Sequence, residues 1–139
     1  MPADNLTVLV GNLTDDPELR YTPNGVAVAN FRLAVTPRVK DANGWRDGDT
    51  SFIPVNVWRD PAEHVTASLH KGDRAIVAGR LRTRSWVTEA GEKRSVTELD
   101  ADEVGPSLRF HTVDRIRKPE RVRAPERDAP AREDADVPF

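Results

Sequence analysis

Cysteine is absent from the chain, which excludes disulfide staples, thiolate nucleophiles and cysteine-bound metals. Long apolar runs are missing as well. No stretch approaches the ~20 residues of a membrane-spanning helix, so no membrane association is expected. The opening residues, MPADNLTVLVGNL, carry neither the basic nor the apolar region of a secretory signal, and a cytoplasmic protein is the expectation. A net charge of −2 over 139 residues rules out attraction of a polyanion by bulk charge alone. Any electrostatic recognition must be local.

Charge is in fact unevenly spread. Residues 1–117 hold 16 Lys and Arg against 17 Asp and Glu, whereas 117–127 hold five cations against two anions, and the final EDADVPF is acidic. Four of the eleven prolines fall in residues 119–138, among few apolar side chains. Such a stretch buries too little surface to offset its ordering entropy and is read as a disordered tail, 117–139, behind a folded domain, 1–116.

Within the domain, period-two alternation dominates. Leu6, Val8 and Val10 mark a first strand, and Ala27, Ala29, Phe31, Leu33 and Val35 a second. Between them, DPELRYTPNG reads as turn-rich. Ile53, Val55 and Val57 form the inward set of a third strand, with Phe52, Pro54, Asn56 and Trp58 opposite; Pro54 argues for an edge or bulge there. One helix interrupts, with Asp60 as cap in a D-x-x-E box, Pro61 at the first helical position, an Ala62, Val65 and Leu69 stripe, and Gly72 as terminator. Residues 74–87 give a fourth strand, about 94–102 a fifth, and GPSLRFHTV a short sixth. This order matches an OB-fold, a five-stranded Greek-key barrel with one short helix between strands three and four, here followed by an extra C-terminal strand.

The most informative stretch is RLRTRSW. In a strand, Arg80, Arg82, Arg84 and Trp86 share one side and span about 20 Å, a spacing suited to a row of phosphates ending at a stacked base. Phe52 and Trp58 add rings on another strand. Arg32, Lys93 and Arg94 extend a basic path. Trp45, in DANGWRDGD, could equally cover an apolar edge or reach for a base. The reading is a platform for single-stranded nucleic acid, with duplex readout disfavoured because no helix carries a basic face. Catalysis fares worse. His64, His70 and His111 lack metal-ligand spacing, Asp15–Asp16 reads as a turn, and Glu98, Asp100 and Asp102 read as an exposed acidic stripe. No metal, cofactor or enzymatic activity is expected.

The segments VLVGNLTDDPELRYTPNGVAVANFRLAV, KGD, VAGRLRTRSW and VPF, occurring together and in order, resemble the bacterial single-stranded DNA-binding proteins across residues 5–113 and again at the last few. DEVGPSLRF resembles their actinobacterial branch, in which an added strand clamps neighbouring subunits. The short tail, without a glycine- and glutamine-rich linker, is similar to that of a secondary paralogue. The resemblance implies a homotetramer that coats single-stranded DNA in replication, recombination and repair, associated with the nucleoid and needing no cofactor. It implies stacking by Phe52, Trp58 and Trp86. It also implies that Asp134, Asp136, Val137, Pro138 and Phe139 form a tip that recruits replication and repair proteins. Two positions depart from the pattern: Val39 stands where a tryptophan is usual, and Ile53 where a histidine is, which points to a more apolar subunit interface. An RNA-binding barrel, or an interaction module with weak DNA binding, are the rival readings.

Overall fold

The computed structural model describes residues 4–119; the tip residues Asp134, Asp136, Val137, Pro138 and Phe139, and nearly all of the expected tail, lie outside them. In chain order the elements are β1 (Leu6–Leu13), β2 (Glu18–Tyr21), β3 (Ala27–Val35), β4 (Arg38–Asp41), β5 (Gly44–Asp47), β6 (Ser51–Trp58), α1 (Asp60–Ser68), β7 (Arg74–Val87) and β8 (Lys93–Pro106). Hydrogen-bonded neighbours run β1-β7-β8-β6-β3, and β1 pairs again with β3, which closes five strands into a barrel with β2 on its outside edge. The one parallel contact joins β6 to β8, through Val55 opposite Leu99 and Asn56 opposite Asp100. This is the Greek-key closure of an OB-fold.

Closure requires β1 to serve two partners. Its length pairs with β7, and its end, Asn12 and Leu13, turns onto Ala34 and Leu33 of β3. Gly11 sits at that corner. A Cβ there would lie 2.3 Å from the Ala34 carbonyl oxygen, so only glycine permits the approach. Inside, Leu13, Leu33, Val55, Val57, Val77 and Leu99 are fully buried. Helix α1 lays Ala62, Val65 and Leu69 over this core, as the stripe predicts.

Several local expectations change. The helix is not capped by Asp60: the cap position is Arg59, with φ 71° and no side-chain cap bond, and Pro61 falls one residue later than expected. The Glu63 carboxylate accepts instead from the Tyr21 hydroxyl, 3.1 Å away, which removes it from any capping box. The helix also ends early, at Ser68, and Gly72 serves the following turn with φ 92°. DPELRYTPNG contains strand β2 before its turn, because the Arg20 and Leu19 backbones find open ladder positions on β3. DANGWRDGD supplies the turn, at Ala42–Asn43, and the returning strand of a β-hairpin, β4–β5, with Gly44 at φ 105° just after the turn. GPSLRFHTV supplies only the end of β8, and no strand follows Pro106 among the described residues: Ser107 N–H donates to the Arg74 carbonyl and the ladder stops there. Pro54 is accommodated as expected: β8 reaches only Val55 and Asn56, leaving that side of β6 free beside the proline. Ile53 packs half-buried against the chain's own core, so the apolar residue there first serves the barrel.

Candidate nucleic-acid interface

Strand register decides which side chains share the outer wall. Across β3, β6 and β8, Val28 stands opposite Trp58, Asn30 opposite Asn56, Ala34 opposite Phe52, and Asn56 opposite Asp100. On the last pair of strands, Arg82 faces Glu98 and Trp86 faces Arg94. These positions alternate with Val55, Val57 and Leu99, all of them core, so they point outward together. Phe52 is 52% exposed, Trp58 39% and Trp86 43%, which shows that none of the three rings is sealed inside. Guanidinium groups lie over two of them, Arg32 over Phe52 at 5.2 Å and Arg84 over Trp86 at 5.2 Å. A cation held against a half-open ring is a surface that accepts both a base and its phosphate.

The arginine row is where expected, but it is not a row of free cations. Each member reaches diagonally to an acid on β8: Arg82 Nε to Asp100 Oδ2 at 2.7 Å, Arg84 to Glu98 Oε2 at 3.0 Å, and Arg80 to Asp102 at 3.8 Å as well as to Asp4. The acidic stripe is therefore the counterion of the basic one. A bulge lies at the Arg80 end of the row. Ala78 pairs with Glu103 and Gly79 with Ala101, which leaves Asp102 unopposed, and a Cβ on Gly79 would strike the Asp100 carbonyl.

Asn56 ties the two halves of the wall together. Nearly buried, it donates from Nδ2 to Glu98 Oε1 at 3.0 Å and Asp100 Oδ1 at 3.1 Å, and accepts from Asn30 Nδ2 at 2.6 Å. Asn30 accepts in turn from Arg20. The Arg84 hydrogen bond holds the Glu98 carboxyl below the usual range, against the opposing pull of burial, with help from Asn56. At Asp100 burial pushes upward, but Arg82, Asn56 and Trp58 together outweigh it and the carboxyl is lowered. Arg82 is correspondingly raised by its bond to Asp100. Both acids thus stay ionised beneath the arginines.

The other basic candidates are spread differently. Arg94 lies across from Trp86 on the outer side and pairs with Glu92 at 2.8 Å; Lys93 lies across from Val87, on the other side of the β7–β8 ribbon, because adjacent strand residues alternate. Arg20 and Tyr21 are engaged with Asn30 and Glu63. His70 binds Asp73 through its backbone N–H, His64 and His111 are exposed, and among the described residues no group of three or more His, Asp or Glu converges as metal ligands would. Asn30 and Asn56 are the residues sequence reading missed. Their signal was an asparagine at an outward position in each of two strands otherwise rich in β-formers.

A family model described as the single-strand binding protein family matches residues 4–107. A single-stranded DNA-binding protein of Corynebacterium glutamicum is 59% identical over 117 residues, covering 83% of this chain and 52% of the relative; one from Paenarthrobacter aurescens is 55% identical over 112 residues, covering 79% and 66%. The chain thus spans half to two thirds of the length of these relatives. Among solved structures, the small single-stranded DNA-binding protein of Streptomyces coelicolor aligns with a TM-score of 0.64 at 39% identity, covering 74% of this chain and 94% of that one.

Proposed function

This chain belongs to the single-strand binding protein family, and from that premise we propose that its outer β3–β6–β8–β7 wall binds single-stranded DNA without sequence preference. The observation that carries the reading is the trio of half-open rings on one face, two of them with a guanidinium stacked above. Phe52, Trp58 and Trp86 stack bases. Arg32, Arg80, Arg82, Arg84 and Arg94 hold phosphates, with Lys93 reaching the strand only where it wraps the ribbon edge. Because every base has a π-face, such stacking tolerates any sequence; in single-strand binding folds it contributes about 1–3 kcal/mol per base. Family membership and the absence of any assembled nucleophile or base in the wall support a binding protein rather than an enzyme.

The same reading extends to a homotetramer that protects single strands during replication, recombination and repair in the nucleoid. Leu6 and Val8 of β1 and Ile76 of β7 support the oligomer, forming an exposed apolar row that water does not favour. The acid-flanked Val137–Pro138–Phe139 stretch supports recruitment of partner proteins, with Phe139 as an apolar anchor and Asp134 and Asp136 steering toward basic pockets. The deciding experiment is titration with oligo-dT. Tryptophan fluorescence should quench, and log K should fall with log salt by roughly 0.7 per phosphate contacted. A flat salt response and unchanged fluorescence would refute the proposal.

A further inference from the structure

Trp45 is the most exposed of the three tryptophans, at 62%, and the wall described above does not include it. We propose that Trp45, with Lys40 and Arg38, forms an outlying subsite for a base and its phosphates on the β4–β5 ribbon, extending the DNA path beyond Phe52. The proposal rests on the single-strand reading of the wall and adds to it a site of its own.

Three observations carry it. First, the ribbon, a two-stranded sheet of its own, is tied to the end of the β3–β6 ladder: the Thr36 and Thr50 hydroxyls meet at 2.6 Å, and Gly48 N–H donates to the Pro37 carbonyl at 2.7 Å. Asp49 is the extra residue of a bulge on the returning strand, so alternation on the outgoing strand is undisturbed. Counting in twos from Ala34, opposite outward Phe52, gives Thr36, Arg38 and Lys40, and Lys40 stands opposite Trp45. The indole therefore lies on the same side as the rings of the wall, about 20 Å along the strand from Ala34.

Second, Lys40 Nζ sits 5.9 Å from the Trp45 ring centre, a third copy of the ring-plus-cation unit formed by Arg32 with Phe52 and Arg84 with Trp86. Lys40 enters no ion pair among the described residues, unlike the row on β7 and unlike Arg38, whose Nε lies 3.5 Å from Asp47 Oδ1. Third, the indole is not the ribbon's own apolar plug. Val39, on the opposite side, packs so close to Gly48 and Pro37 that Gly48 has no room for a side chain. A large exposed ring with a cation above it, on a face continuous with the platform, suits a stacked base.

Replacing both other tryptophans in the full chain, Trp58→Phe and Trp86→Phe, makes Trp45 the only reporter. At an oligo-dT concentration shown by anisotropy of a labelled oligomer to saturate that variant, Trp45 emission should quench and become shielded from acrylamide. In the otherwise native chain, Trp45→Ala should lower affinity for a long oligo-dT about fivefold or more while the melting temperature stays unchanged. If native protein binds oligo-dT but Trp45 emission is unmoved, or Trp45→Ala keeps full affinity, the subsite is overturned and the wall stands. If native protein does not bind oligo-dT at all, the wall fails and the subsite with it.

Discussion

Trp86 can be removed without opening the core, because its ring stands on the outside of a two-stranded ribbon. Trp86→Ala should therefore weaken oligo-dT binding by about thirtyfold, the middle of the range for one stacked base, with a thermal midpoint shifted by no more than a degree or two. A large drop in midpoint would mean that the ring is structural. Arg59 offers the converse case. It holds φ 71° and ψ −147° as the cap of α1, a region open mainly to glycine that costs a side chain with a Cβ about 1–3 kcal/mol, while its backbone N–H is committed to the Ala27 carbonyl at 2.8 Å. Arg59→Gly should relieve that strain and raise the melting temperature by a few degrees in calorimetry. A lowered midpoint would show that the Arg59 side chain makes a stabilising contribution that outweighs its backbone.

At the scale of the element, the β7–β8 ribbon determines how much positive charge the wall offers. An arginine salt-bridged at 2.7–3.0 Å must exchange a carboxylate for a phosphate before it binds DNA, so part of the electrostatic gain is cancelled. Asp100→Asn keeps an acceptor for Asn56 and Arg82 but removes the charge. It should raise oligo-dT affinity and steepen the salt dependence, by up to roughly 0.7 in slope if one more phosphate is engaged. An unchanged slope would show that Arg82 never meets the backbone. The same pairs make an acid-stability prediction. Glu98 and Asp100 have lowered carboxyls, so their stabilisation is complete above the unfolded values near ~4 and is lost as pH falls through the lower folded values. Melting temperature should hold from neutral pH to about 5 and decline below it, and Asn56→Ala, by letting both carboxyls rise toward their unfolded values, should make that decline smaller and complete at higher pH. The arginine row was legible in RLRTRSW because alternation alone gathers it on one side. Its neutralisation was not legible, since the register of β7 against β8 and the bulge at Gly79 depend on a strand pairing the linear sequence does not state.

At the scale of the whole molecule, one constraint dominates: β1 must leave β7 and reach β3 for the barrel to close. Gly11→Ala should cost about 1–3 kcal/mol through overpacking on Ala34, seen as an earlier urea midpoint with an unchanged slope. Closure also leaves Leu6, Val8 and Ile76 uncovered on the outside of β1 and β7. Acidic substitution of Leu6 and Val8 together should lower the mass seen in a sizing column while the barrel remains folded, because both side chains already face outward. Unchanged mass would place the subunit contact elsewhere.

By itself, the sequence determined the inward and outward sets of β3 and β6, the outward arginine row of β7, the apolar stripe of α1 and the identity of the rings, because period and side-chain chemistry are local properties. Tertiary structure decided what those local properties meet. It set acids beneath the arginines and joined two asparagines across three strands. It also turned a loop containing Trp45 into a two-stranded ribbon that holds Lys40 against the indole. Each of these outcomes depends on which strands become neighbours, a matter of barrel closure, with Gly11 and Gly79 permitting two of its close backbone approaches.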